Sequence, residues 1–158
     1  VLAYQDSFGI PALPFRLFNV YGRLQAPGHA YAAVVPAFLY AALHAEPVPM
    51  HGDGTQTRDF THVDTVTSVM ASAILGKITA TTAVNLAFGT RYSLLDVLSI
   101  MEELIGHPIE RRHGPARAGD VRDSQAAGGL LISLFPGISP VELRAGLTST
   151  LEWMRTVA

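Results

Sequence analysis

The 158 residues contain no cysteine. That excludes disulfides and thiolate metal sites, and it leaves the redox compartment open. Charge is sparse: Asp, Glu, Lys and Arg make up 15% of the chain, and a net charge of −2 lacks the basic excess of a nucleic-acid-binding face. No apolar run reaches membrane-spanning length; the longest, near residues 31–43, is only helix-sized and is interrupted by Pro36. No basic stretch precedes it, so no secretory signal is expected. Lysine occurs once, as Lys77, and the six histidines form no His-x-x-x-His pair and no metal-binding cluster. With 49% hydrophobic residues the chain can still bury a core of ordinary size. The expectation is a soluble, cytoplasmic globular protein of one domain or two small lobes, with no metal.

What is present alternates between strand and helix signals. Residues 1–8 read as the tail of a helix with no capping residue before it, a beginning that looks cut; Gly9 suits the C-cap and Pro11 ends it. Residues 12–20 are a short apolar run fitting one core strand, with Arg16 expected to be buried in it. A Gly- and Pro-rich loop follows over 21–29. Residues 30–45 have helical length, with Pro36 expected to bend or restart the helix. Residues 48–51 read as a strand ended by Gly52-Asp53-Gly54, and Asp64 as the N-cap of a helix over 65–77. A strand over 83–88 precedes a turn at Gly89. Ser93 with Asp96 three residues on predicts a boxed helix start running to residue 105, closed by Gly106-His107-Pro108. A strand over 109–113, a weak glycine-broken helix over 123–135 and a final helix over 139–156 complete the reading. The alternation makes this an α/β protein, and a sheet built from these strands alone has an exposed edge.

Two stretches carry a resemblance. The first is Arg16-Leu17-Phe18-Asn19-Val20-Tyr21-Gly22-Arg23, continuing through Gln25, Pro27 and Ala30-Tyr31-Ala32-Ala33-Val34-Val35-Pro36. The second is His51-Gly52-Asp53-Gly54-Thr55-Gln56-Thr57-Arg58-Asp59-Phe60-Thr61-His62-Val63-Asp64. Weaker echoes follow in Asn85 to Gly89, Ser93 to Val97, Arg117-Ala118-Gly119-Asp120-Val121, and Gly146-Leu147 with Thr150, Glu152 and Trp153. Together they resemble the nucleotide-sugar epimerase/dehydratase branch of the extended short-chain dehydrogenases/reductases. Arg23, Gln25, Pro27 and the Ala-Tyr-Ala-Ala-Val run are similar to 4-epimerases of UDP-hexoses and UDP-N-acetylhexosamines. The resemblance implies the C-terminal part of a Rossmann-like doubly wound sheet plus a small α/β substrate-binding lobe. Sheet elements near 1–20 and 64–88 are then interleaved with substrate-binding segments near 21–63 and 89–158.

By this resemblance Arg58 and Arg117 are ligands of a diphosphate, for which the two-pronged guanidinium is suited. Either arginine could instead be a surface residue in a weak ion pair, Arg58 with Asp59 beside it. Asn19 stands at the end of an apolar strand, where it would donate to phosphate or sugar oxygens, or simply form a turn. Phe18 would wall the sugar pocket. Asp120 resembles the family acid that accepts from ribose hydroxyls, and otherwise reads as a loop aspartate. Ala33, Val34, Met50 and His51 map onto positions flanking the base; His51 could stack on it or be an ordinary surface residue. Tyr21, Tyr31 and Trp153 read as packing residues, and Asp64 as no more than a cap.

The family binds NAD through a glycine-rich turn and removes a proton with the tyrosine of a Tyr-x-x-x-Lys pair, whose ammonium lowers the phenol pKa. Neither motif is present: the residue four before Lys77 is Ala73, and no glycine-rich turn joins a strand to a helix. Contact with NAD is therefore expected only at an edge, around Leu17 and Val20. After Asp120 the usual acidic and basic positions give way to Ala126-Ala127-Gly128-Gly129. The expected function is the nucleotide-sugar-binding half, UDP-linked, of an NAD-dependent 4-epimerase or dehydratase, without activity alone and with no catalytic residue of its own. The alternative is a stand-alone nucleotide-sugar-binding module, or a half-enzyme completed by a separate chain carrying the N-terminal half.

Overall fold

The apolar run 12–20 does not form one strand. A computed structural model describes residues 1–26, 33–116 and 119–157. In it the run divides into β1 (Phe15–Leu17) and β2 (Val20–Tyr21), because Asn19 takes a left-handed backbone conformation, φ 27°, and turns the chain between them. Asparagine tolerates that region better than the apolar residues around it. Arg16 is exposed, not buried, since β1 has a neighbour on one side only among the described residues.

The remaining elements, in order, are α2 (Val34–Leu43), β3 (Val48–His51), β4 (Thr57–Arg58), β5 (Thr61–His62), α3 (Val63–Leu75), β6 (Val84–Leu86), β7 (Tyr92–Ser93), α4 (Leu94–Ile105), β8 (Arg111–Gly114), α5 (Gly129–Leu134) and α6 (Leu143–Val157); α1 (Leu2–Phe8) precedes β1. Three strand pairs are parallel: β1 with β6, Leu17 opposite Leu86; β2 with β5, Tyr21 opposite His62; and β3 with β8, Met50 opposite His113. β4 pairs antiparallel with β7. Parallel pairs joined through helices make this an α/β fold, as the alternation predicts.

Local chemistry explains the helix boundaries. α4 starts on the predicted capping box, with Ser93 and Asp96 bonded reciprocally, and stops at Gly106 in the left-handed conformation. α1 stops at Gly9 in the same way. Pro36 does not interrupt α2. It occupies the third helical position, where no intrahelical partner awaits its missing N–H. Asp64 is not the cap of α3: the chain turns helical two residues earlier, at Val63, and the His62 ring accepts from the Asp64 N–H instead. The helix expected over 123–135 shrinks to the six residues of α5, because the stretch before it bridges to β4, with the Ser124 N–H donating to the Thr57 carbonyl at 3.1 Å. The start of the helix expected at 30 and the end of the loop over 21–29 lie outside the described residues.

Two apolar cores result. The first joins α2, α4 and α6 around Phe38, Leu39, Met50, Leu98, Met101 and Leu147. The second lies between β1–β6 and the helices α3 and α5, around Val69, Val84, Leu86, Leu131 and Phe135. They meet where α6 crosses β2 and β5. A Cβ on Gly146 would stand 2.2 Å from the Tyr21 hydroxyl and 2.9 Å from the His62 ring, so only glycine lets the helix approach. Likewise a Cβ on Gly128 would stand 2.7 Å from the Ala87 carbonyl oxygen, which accounts for the glycine just ahead of α5. Among the described residues no helix is long and apolar enough to cross a membrane.

Candidate functional site

A groove of about 360 Å³ opens beyond the ends of β3 and β8. One rim is the turn that ends β3. Asp53 accepts there from the Thr55 N–H at 2.9 Å and hydroxyl at 2.7 Å, and these bonds hold its carboxyl below the usual carboxylate range. Gln56 closes the turn by donating to the His51 carbonyl at 2.7 Å, and the Gly52 N–H reaches the Gly114 carbonyl at 3.0 Å. The His51 ring lines the groove, with Nδ1 3.4 Å from the Pro115 carbonyl oxygen. The other rim is formed by Ala116, Asp120 and Arg122.

Arg58 ties the rims together. Its guanidinium donates to the Asp120 carboxylate, to the Thr57 carbonyl at 2.8 Å and to the Arg122 carbonyl at 3.4 Å. The sequence thus identified two residues that meet, although the ion pair spans 62 positions instead of joining neighbours. Asp59 has a different partner set. It is fully buried and accepts from the Gly89 N–H at 3.0 Å, the Thr90 hydroxyl at 2.8 Å and the Ala126 N–H at 3.1 Å. Asn19 joins this group by donating to the Asp59 carbonyl at 3.2 Å. Beside it Arg91 pairs with Asp123 at 2.5 Å, and the Thr57 hydroxyl donates to Asp123 at 2.9 Å; the latter bond first, then the arginine, lowers the Asp123 pKa.

Of the residues singled out in the sequence, His51 and Asp120 line the groove and Arg58 buttresses it. Ala33 and Val34 stand half-buried at the start of α2, and Phe18 is half-buried beside Asn19. Met50, 1% exposed, belongs to the first core and reaches no surface. Leu17, 54% exposed, and the half-buried Val20 flank Asn19 between β1 and β2, away from the groove lining. Arg117 lies outside the described residues. Gln56, Arg122 and Asp59 were missed. Gln56 and Asp59 sit within two residues of Arg58 and Arg122 within two of Asp120, which was the available signal.

Two titratable groups elsewhere are shifted by burial. Tyr21 is buried with its hydroxyl donating to the Leu143 carbonyl at 3.3 Å, and burial pushes its pKa up. His62, packed edge-on to Tyr21 at 5.2 Å, is pushed down by burial, with Asp64 opposing and Arg23 adding to the shift. Lys77 lies exposed past the end of α3. The arrangement offers cationic and N–H donors around an open groove.

A family model described as NAD dependent epimerase/dehydratase matches residues 1–87. A Bacillus subtilis protein described as an uncharacterised UDP-glucose epimerase is 31% identical over 157 residues, covering 98% of this chain and 48% of that protein. The structure of a UDP-glucose 4-epimerase from Thermotoga maritima with UDP-glucose superposes with a TM-score of 0.90 at 29% identity, over 98% of this chain and 49% of the other. A UDP-glucuronic acid 4-epimerase from Bacillus cereus, in complex with UDP-glucuronic acid and NAD, superposes with a TM-score of 0.87 at 25% identity, over 99% of this chain and 49% of the other. The chain spans about half the length of the curated relatives it matches.

Proposed function

Because the chain belongs to the NAD-dependent epimerase/dehydratase family, we propose that it binds a nucleotide sugar, UDP-linked, in the groove between His51 and Asp120. The supporting observation is that His51, Asp120 and Arg122 line one open groove from segments more than 60 residues apart, with Arg58 behind it paired to Asp120. Arg58 and Arg122 supply the positive charge for the diphosphate, Asp120 accepts from ribose hydroxyls, and the His51 ring offers a face to the base. Asn19 and Phe18 face the sugar, and Arg117 adds a third guanidinium. In this reading the segments near 21–63 and 89–158 serve substrate, and those near 1–20 and 64–88 belong to the sheet.

The residues present do not make an NAD site. The sequence has no glycine-rich strand-to-helix turn and no Tyr-x-x-x-Lys, and in this reading only an edge at Leu17 and Val20 would meet the cofactor. The chain alone therefore binds substrate without turning it over. Calorimetric titration with UDP-glucose tests the binding: saturable heat competed by UDP supports it, and no heat from either ligand rejects it. Epimerase turnover by the isolated chain with added NAD would refute the inactivity.

One observation favours completion by an N-terminal half, on this polypeptide or another. α1 buries none of its side chains, β1 pairs only with β6 among the described residues, and Tyr4, Phe8, Ile10 and Leu17 are all more than half exposed on this part of the chain. An open parallel edge beside apolar side chains is a surface for another strand and helix. A polypeptide supplying the glycine-rich turn and the Tyr–Lys pair would meet the chain here. Co-expression with such a half and a pull-down measure it, and absence of a complex argues against this face as the meeting surface.

A further inference from the structure

Asp59 is fully buried, yet none of the ion pairs among the described residues includes it; its neighbour Arg58 turns to Asp120 instead. Its carboxylate is satisfied by three donors from two distant segments. Oδ2 takes the N–H groups of Gly89 and Ala126, and Oδ1 takes the Thr90 hydroxyl. Its own carbonyl takes the Asn19 amide. Four pieces of chain thus converge on one residue: the β1–β2 bend, the 57–60 segment, the turn after β6, and the run 120–126 that forms one rim of the groove. That run is held along β4 by the Thr57 N–H to the Arg122 carbonyl at 2.8 Å and the Ser124 N–H to the Thr57 carbonyl at 3.1 Å. Asp59 fastens its end. Gln125 strengthens the fastening by donating to the Gly89 carbonyl at 2.5 Å.

We infer that Asp59 is the positioning residue of the nucleotide-sugar groove: it touches no ligand, and it sets Arg58, Asp120 and Arg122 at their places by anchoring the 120–126 rim at Ala126. The inference rests on the proposed nucleotide-sugar binding and adds to it the group that shapes the site. A carboxylate suits this position because two backbone N–H groups and a hydroxyl point into one buried spot, and only an acceptor with several lone pairs satisfies all three. An apolar residue there strands two buried donors, which relieve themselves by letting the rim swing out to water.

The test is UDP-glucose affinity read beside thermal unfolding. Asp59→Ala is expected to weaken binding about tenfold or more, the equivalent of one or two lost charge-assisted bonds. Asp59→Asn keeps one oxygen for the two backbone N–H groups and is expected to fall between Asp59→Ala and wild type. Thr90→Val, which deletes one donor on a residue outside the groove lining, is expected to weaken binding about threefold. Val97→Ala, in the core of α4, is the control: it lowers the melting temperature and leaves affinity unchanged, so a merely structural role for Asp59 would give the same pattern. Wild-type affinity in folded Asp59→Ala overturns the inference; should that variant not fold, wild-type affinity in both Asp59→Asn and Thr90→Val overturns it equally. Failure of the wild-type protein to bind UDP-glucose or UDP overturns the binding proposal itself, and this inference with it.

Discussion

The two cores differ in how far each is closed. Around Leu98 and Met101 three helices and the β3–β8 pair leave the large apolar side chains at or near zero exposure. Around Val84 and Leu86 the inner face is equally dry, yet the surface next to it carries Tyr4 at 64% and Phe8 at 69% exposure on a helix with no buried residue. The first core is covered on all the sides that its residues describe. The second is finished on the side of α3 and α5 and unfinished on the side of α1 and β1. The groove lined by His51 and Asp120 sits beside the closed core, at the end of β3, and the exposed apolar side chains of α1 and β1 sit beside the open one.

Truncation in the closed core has the largest expected effect. Leu98→Ala should cost about 3 kcal/mol in urea unfolding, within the range for buried leucines; a loss near zero would mean that this core is not closed. Next comes the junction. Gly146→Ala drives a methyl into the Tyr21 hydroxyl and should cost about 2 kcal/mol by overpacking. A smaller effect should follow pH. His62 is buried with its pKa lowered from 6.5, so the unfolded chain takes up its proton before the folded chain does. Stability is then full above about pH 6.5, declines as pH falls below it, and levels off once the folded form is protonated too. The slope from this group is at most about 1.4 kcal/mol per pH unit. Asn is a good N-cap, so His62→Asn should keep α3 while flattening this slope; an unchanged slope would assign the pH dependence to other groups. The smallest effect is expected on the open face. Phe8→Ser should change stability by less than about 0.5 kcal/mol, and a loss of several times that would show the face already covered by another copy of the chain.

The closed core was the more legible region. Ser93 with Asp96 announces α4, and Val48 to His51 is a strand bounded by its own turn, so local signals and tertiary structure agree there. Misreadings cluster where long-range pairing overrides local pattern. The run 12–20 looks like one strand because the bend at Asn19 costs little and leaves no Gly or Pro mark. Residues 123–128 look helical, but the stretch starts with Asp123 and Ser124 bonded along β4. Arg58 and Asp120 were recognisable within their motifs, whereas their mutual ion pair and the burial of Asp59 depend on segments that meet only in the folded chain.

The central claim is that the groove between His51 and Asp120 takes the nucleotide of a UDP-sugar. Backbone amide chemical shifts of the isotopically labelled protein, followed during titration with UDP, test it most directly. The account predicts saturable shifts at His51, Gln56, Arg58, Asp120 and Arg122, with α1 and the end of α3 unmoved. Shifts confined to α1 and β1, or none at all at saturating UDP, would contradict it.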